Sequence, residues 1–216
     1  MYQLYYYPLN ASLAPHFVLQ DVQHKLGVDF ELVLVDRKSD EQKSADYLAL
    51  NPAGRIPTLV EGDAVVFESA AICMHLCEQN PQANLMPEIG HPDRPLCHQW
   101  LMYLTNTLQA ELMIYFYPEK HSTDKNVCAD IVTVQQARIA DCLQLLDDAL
   151  TGKDYLVGNS VGVCDYFLLM LAIWADEIEK PPLSFANLKR YLCQLVKHDA
   201  VQAVCEKENI GLDEYE

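Results

Sequence analysis

The first third of the chain alternates short apolar runs of strand character with stretches whose apolar positions recur every three or four residues. Tyr2 to Tyr7 is an aromatic, strand-prone run stopped by Pro8 and Asn10. Ser12 then precedes apolar positions at Leu13, Phe17, Val18, Val22 and Leu26, and Gly27 closes them, which predicts a helix with a cap at each end. Phe30 to Val35 predicts a second strand. Asp40 to Leu50, polar with Tyr47 and Leu50 on one side, predicts a short helix. Ile56 to Val60, the turn Glu61-Gly62-Asp63 and the run Ala64 to Phe67 predict a β-hairpin. Ser69 opens a further helix to Glu78, broken by Asn80-Pro81. The order β-α-β-α-β-β-α makes an α/β layer over residues 1–80.

Beyond a Pro- and Asn-rich loop, residues 81–95, the strand signals stop. Cys97 to Tyr117 predicts a long apolar helix, and Asp124 to Leu150 a second, with apolar positions at Val127, Ile131, Val134, Ile139, Leu143 and Leu146. Val163 to Ile178 is nearly all apolar, which places it at the centre of a bundle, and Pro181-Pro182 ends it. Helices around Phe185–Val196 and Ala200–Glu208 complete this half. The acidic end, Asp213 to Glu216, is expected to be frayed surface.

Composition narrows the function. Half of the 216 residues are apolar and 21% are charged, enough for a real core. Lys and Arg number 15 against 31 Asp and Glu, a net charge of −16. Five basic residues face 11 acidic ones up to Pro81, and ten face 20 beyond it, so no segment offers a basic stripe. Nucleic acid and anionic membrane surfaces are excluded as partners on that ground. The longest apolar run, Tyr166 to Ala175, is about half the length that a membrane span requires. The segment before Pro8 has no basic or apolar leader, so the eight cysteines are expected as reduced thiols in a cytoplasm. Cys73-Met-His75-Leu-Cys77 imitates a metal cluster, but on a helix His75 points about 160° from the face of the two thiols, so no metal is expected.

The most informative chemistry lies in Asn51-Pro-Ala-Gly-Arg-Ile-Pro57-Thr-Leu-Val60, followed by Phe67-Glu68-Ser69. A proline is tolerated in a sheet only at an edge or a first position. A cis Ile56–Pro57 bond would turn the chain and leave the Ile56 N–H and C=O facing outward, ready to pair with an extended peptide. Glu68-Ser69 falls where a strand meets a helix: the helix N-terminus suits a carboxylate and the Glu68 side chain an ammonium. Together they would read an amino-acid head group. The alternative is a trans edge proline and a plain N-cap serine.

In combination, these segments, the strand-turn-helix start and the all-helical second half resemble the soluble glutathione transferase family over essentially the whole chain. Asp46-Tyr-Leu-Ala-Leu-Asn-Pro52 and Ser12-Leu-Ala-Pro-His16 look most like bacterial beta-class and related members. The resemblance implies a thioredoxin-like α/β N-terminal domain (residues 1–80), a linker (81–92) and an all-α helical-bundle domain (93–216). It implies a homodimer, with glutathione as co-substrate. Pro57 would be the cis-proline, Ile56 would pair with the cysteinyl part of glutathione, and Glu68 and Ser69 would hold its γ-glutamyl end. Glutathione is a net anion and the chain is acidic, so a local cation should meet the glycyl carboxylate; Lys38 and Arg55 are the candidates. Some classes carry a histidine two residues before the isoleucine, where this chain has Gly54.

The thiol-activating residue departs from the family patterns. Serine-type enzymes place a serine where this chain has Asn10, and beta-class enzymes a cysteine where it has Ala11. The candidates are, in order, Ser12, Asn10 and Tyr6, with Ser12 either a donor or a plain N-cap. The helical half should supply a pocket for a small hydrophobic electrophile, with Tyr103, Asn106, Gln109, Met113 and Tyr117 along or just past one long helix. Gln109 stands near the place of a beta-class histidine. Asp165 matches the family's N-capping aspartate; the Ser or Thr usual three residues earlier is Gly162, so the capping box is half present. The function implied is conjugation of the glutathione thiolate to an electrophile. The alternatives are a glutathione-dependent isomerase or peroxidase, and a non-catalytic binding or regulatory protein of the same fold.

Overall fold

The computed structural model describes residues 1–215. Met1–Ile89 together with Val196–Glu214 form one unit, and Gly90–Leu195, joined by Tyr215, form the other. The division expected at 81–92 thus falls between residues 89 and 90. The segment from Val196, which the sequence assigns to the helical half, belongs with the first unit.

In the first unit β1 (Tyr2–Tyr6) leads into α1 (Leu13–Leu26) and then β2 (Phe30–Leu34). α2 (Ala45–Leu50), β3 (Thr58–Glu61), β4 (Ala64–Phe67) and α3 (Ser69–Gln79) follow. The sheet order is β2-β1-β3-β4, with β1 parallel to β2 and antiparallel to β3, and with β3 antiparallel to β4. Strand alternation sorts the aromatic start of the chain. Tyr2 and Leu4 are buried, and the Tyr6 ring meets His16 of α1 edge-on. Tyr5 and Tyr7 pack instead with Val35, Tyr47 of α2 and Ile56. α1 ends as its sequence predicts: Gly27 takes the left-handed conformation at φ 69° and its N–H bonds Gln23 O. The stretch Asp40 to Leu50 is not one helix. Two 3₁₀ turns, Arg37–Ser39 and Glu41–Lys43, flank a left-handed Asp40, and α2 begins only where Ser44 Oγ accepts the Tyr47 N–H.

The second unit is helical. α4 (Arg94–Tyr103) continues through a π-turn, Leu104–Leu108, into α5 (Gln109–Phe116); α6 (Cys128–Ala149), α7 (Val163–Trp174) and α8 (Ala186–Leu195) follow. The single helix expected over residues 97–117 therefore carries a widened turn, where the Gln109 N–H reaches Leu104 O. Thr105 Oγ1 donates to Leu101 O at 3.0 Å just before it, the side-chain competition for a helix carbonyl that threonine introduces. α7 is buried from Val163 through Ala172, as its unbroken apolar sequence requires, and it ends at Trp174, four residues before Ile178. α9 (Asp199–Glu208) packs along α1 in the first unit. No helix of the described residues is long and apolar enough to cross a membrane.

Asp165 holds the start of α7. It is buried and accepts from Gly162 N at 2.7 Å, Leu156 N at 2.9 Å and Tyr191 Oη at 2.6 Å. Glycine has no side chain to return a bond, so the capping box stays half built. Burial pushes the Asp165 carboxyl up to about 6, against the pull of its three donors. The acidic end is not frayed through Tyr215: that residue is buried and its hydroxyl donates to Asp176 Oδ1 at 2.6 Å. Glu216 lies outside the described residues.

Replacing Asp165 by alanine would strand three buried donors. Urea unfolding followed by helical circular dichroism should show a loss of about 3 kcal/mol or more. Tyr191→Phe, which removes one donor and leaves the others paired, should cost about 1–2 kcal/mol.

Candidate functional site

The segment between α2 and β3 is built around one carbonyl. Arg55 O accepts from Tyr47 Oη at 2.7 Å and from Asn51 Nδ2 at 2.7 Å. Asn51 is buried, and its Oδ1 accepts the Ala53 N–H at 3.0 Å. Tyr47 Oη also lies 2.9 Å from Thr58 Oγ1. Gly54 is left-handed at φ 60°, and an added Cβ would stand 3.3 Å from Gln42 O and from the Leu48 side chain, so glycine is required twice over. The Ile56–Pro57 bond is cis. The ladder between β1 and β3 ends at Tyr5↔Thr58, so the Ile56 backbone lies beyond it. Tyr47 and Thr58 are site residues that sequence reasoning missed. Tyr47 was legible only as an apolar position, and nothing local announces that its hydroxyl crosses to Arg55.

Beside this segment stands the start of α3. Glu68 is exposed and holds φ 73°, ψ 115°, a sparsely populated conformation for a side-chain-bearing residue. Ser69 opens the helix, whose first N–H groups have no intrahelical acceptor and carry the positive end of the helix dipole. The Ser69 hydroxyl donates to Ala11 O at 2.7 Å, so it ties α3 to the loop after β1.

That loop carries Asn10 and Ser12, and Tyr6 ends the strand before it. Ser12 is fully buried; its hydroxyl donates to Tyr7 O at 3.1 Å and accepts the Tyr7 N–H at 3.3 Å. It makes no side-chain cap for α1 either. With its hydroxyl bonded to both polar groups of the Tyr7 backbone, Ser12 staples the loop. Tyr6 is turned away by strand alternation, packed on His16, and its pKa is raised by burial and by Glu208. Asn10 is half-buried, and among the described residues its side-chain amide has no hydrogen-bond partner. Leu9, left-handed at φ 56°, gives its N–H to Glu208 Oε2 at 3.1 Å, and Glu208 Oε1 meets His16 Nδ1 at 2.7 Å. Glu208 thus steadies the loop from α9, a contact across nearly the whole chain that no local pattern could signal.

Lys38 and Arg55 are exposed, and the Lys38 N–H caps on Asp36 Oδ1 at 2.9 Å. The neighbouring Arg37, which the sequence argument passed over, holds its guanidinium 5.9 Å from the centroid of the Tyr7 ring, itself packed beside Ile56. Cys73 and Cys77 are buried on α3, while His75 Nε2 turns to Glu61 Oε2 at 2.7 Å.

In the helical unit Tyr103 precedes the π-turn, Asn106 lies within it, and Gln109, Met113 and Tyr117 follow it. Tyr103 donates to Cys142 O at 3.3 Å and packs edge-on against Trp100, and burial raises its pKa. Asn106 is exposed, with Nδ2 4.0 Å from Met102 Sδ. Gln109 and Met113 are half-buried, and the Tyr117 ring carries Lys120 Nζ at 3.8 Å.

Two family models match the chain: "Glutathione S-transferase, N-terminal domain" over residues 2–78 and "Glutathione S-transferase, C-terminal domain" over residues 106–199. Glutathione S-transferase GstA of Escherichia coli O157:H7 is 25% identical over 210 residues, covering 96% of this chain and 99% of that one. Glutathione S-transferase 1 of Dianthus caryophyllus is 33% identical over 148 residues, covering 67% and 65%. The solved structure of a sphingomonad glutathione S-transferase complexed with glutathione superposes with a TM-score of 0.82 at 27% identity, covering 97% of this chain and all 100% of that one. A Xylella fastidiosa glutathione S-transferase shares the fold at a TM-score of 0.88 and 23% identity, over 98% and 100% of the two chains. The thioredoxin-like sheet, the helical second half and both family models lead to one assignment: this chain belongs to the glutathione S-transferase family.

Proposed function

We propose that the chain binds glutathione along Ile56 and the start of α3 and adds its thiolate to a small hydrophobic electrophile. The observation that carries this reading is the arrangement in the first unit. The first unit holds an unladdered Ile56 backbone and an open helix N-terminus at Ser69, and the 2.7 Å Ser69–Ala11 bond joins the latter to the loop after β1. An extended peptide pairs with the first, and a carboxylate is favoured at the second. The exposed Glu68 side chain takes the γ-glutamyl ammonium, and Lys38 or Arg55 meets the glycyl carboxylate. These short-range contacts oppose the long-range repulsion between an anionic peptide and a chain of charge −16.

Asn10 is the donor that steadies the thiolate. A free thiol near pKa 8.5 is only a few per cent ionised at neutral pH. Lowering it by about two units requires roughly 2.7 kcal/mol of preferential interaction with the thiolate, within reach of one amide donor and a nearby helix terminus. Catalysis then consists of ionising the thiol and holding it against the second substrate, with no covalent enzyme intermediate. Tyr103, Asn106, Gln109, Met113 and Tyr117 are the residues proposed to meet that substrate. A homodimer completes the reading, and the exposed Val65 and Phe67 on edge strand β4 offer apolar surface for it. A reducing cytoplasm suits the eight cysteines, none of which is disulfide-bonded.

Calorimetric titration should show glutathione binding to the native chain, and Ser69→Ala should weaken that binding about fivefold, as expected when the one bond that ties the helix start to the loop after β1 is lost. Unchanged affinity would remove Ser69 from the site. Asn10→Ala should lower kcat roughly tenfold, and should raise the pH at which the thiolate absorbance of bound glutathione appears. Ser12→Ala should lower Tm through the lost staple before it affects the thiolate. If Ser12→Ala shifts the thiolate titration and Asn10→Ala does not, the donor is Ser12. A bound glutathione whose thiol titrates as in free solution would leave a binding protein without transferase chemistry.

A further inference from the structure

In the helical unit Cys97 of α4 and Cys164 of α7 bring their sulfurs to 3.6 Å. Both side chains are buried, at 1% and 2% exposure. Cys164 Sγ also stands 3.3 Å from Cys97 O, so its one proton is shared between the Cys97 carbonyl and the Cys97 sulfur, and the two groups are oriented toward each other. Each sulfur sits near the start of its helix. The Cys97 N–H bonds Asp93 O in the opening turn of α4, and Cys164 is the second residue of α7. Helix N-termini favour a thiolate over a thiol.

Three of the other four buried thiols differ in kind. Burial pushes Cys73 and Cys142 up and takes Cys205 to about 12, so these three stay protonated and inert. Cys97 moves the other way. The hydrogen bond from Cys164 lowers its pKa against the burial penalty, with a smaller pull from Arg94 and a smaller push from Asp165. A disulfide bond needs the sulfurs about 1.5 Å closer than they stand.

We propose that Cys97 and Cys164 form a two-electron redox pair, which a small peroxide closes into a disulfide linking α4 to α7. The Cys97 thiolate attacks one peroxide oxygen and the O–O bond breaks. One oxygen leaves as water after taking a proton, and the other stays on sulfur as a sulfenic acid. The Cys164 sulfur then displaces that hydroxyl: the S–S bond forms, the S–O bond breaks, and the hydroxide leaves as water with the Cys164 proton. Two thiols lose two electrons and two protons, and one peroxide becomes two waters. At this burial only an oxidant near the size of water reaches the sulfurs, which excludes direct exchange with a tripeptide disulfide. The bond would close 67 residues of sequence separation and lock the first and central helices of the unit together. The inference stands independently of the glutathione reading.

The native chain is treated with hydrogen peroxide, alkylated in denaturant, digested without reductant and analysed by mass spectrometry. The expected product is a peptide pair joining Cys97 to Cys164, two hydrogens lighter than its parts and abolished by dithiothreitol. Tm should rise by several degrees on oxidation in the native chain, and not in Cys97→Ser or Cys164→Ser. Glutathione disulfide in place of peroxide should yield no such pair. Recovery of both cysteines as alkylated thiols, when the half-exposed Cys128 and Cys193 have been oxidised, would overturn the proposal. So would a Cys97 found as sulfinic acid beside an unreacted Cys164. The linked peptide is read on the native chain, so a poorly folded serine variant does not compromise it.

Discussion

One carbonyl orients the candidate site. Arg55 O is gripped from two sides by Tyr47 Oη and Asn51 Nδ2, each at 2.7 Å, and Thr58 Oγ1 closes the arrangement behind Tyr47. Two bonds to one oxygen fix the plane of the peptide unit joining Arg55 to Ile56, and therefore the direction in which the Ile56 backbone faces. Each bond contributes only about 1 kcal/mol net, but losing one partner leaves a buried group unpaired at greater cost. The motif from Asn51 to Thr58 is physically one device: Asn51 and Thr58 supply the polar frame, Gly54 the left-handed corner, and Ile56-Pro57 the edge beyond the strand ladder.

The same economy governs the acidic residues. A chain of charge −16 repels itself, yet five carboxylates among its described residues are buried: Asp21, which meets Lys25 within α1, and four that join separate elements, Asp147, Asp165, Glu111 and Glu208. Each of the four is surrounded by donors. Asp147 accepts from Asn187 N and Leu188 N at 2.7 and 2.8 Å and so starts α8. Glu111 is bonded by Gln135 and Arg138 of α6, and Arg138 holds its carboxyl below the usual range. Asp165 anchors α7, and Glu208 meets His16 and the Leu9 amide. A buried carboxylate is tolerable only when so satisfied, and each of the four therefore fixes the distance between two elements far apart in sequence.

The loop after β1 shows how such anchoring bears on chemistry. It is held by Ser12 to Tyr7, by Ser69 to Ala11 and by Glu208 to Leu9. Three side chains from three elements constrain the backbone around Asn10, leaving its amide as the group with freedom to meet a ligand. Pre-organisation of this kind lowers the ordering cost of binding and is worth more than an extra flexible contact.

Much of this was legible in the residue order. Strand alternation and helix periodicity act over a few residues, so β1 to β4, α1, α3 and the buried α7 follow from local patterns, as do the Gly27 cap and the half-built box at Asp165. The motif around Ile56-Pro57 and the Glu68-Ser69 step locate the candidate site for the same reason. Three things were not legible. Residues 196–214 belong with the first unit because Glu208 finds His16 and Leu9 there, a pairing set by packing and not by pattern. Ser12 looks like a donor or a cap in one dimension, and only the folded loop brings the Tyr7 backbone close enough to take its proton. The pattern over residues 97–117 reads as one unbroken helix, whereas the structure widens its turn at residues 104–108. Sequence determined the elements and the chemistry available at each; tertiary structure decided which polar groups spend that chemistry on one another and which remain open to a ligand.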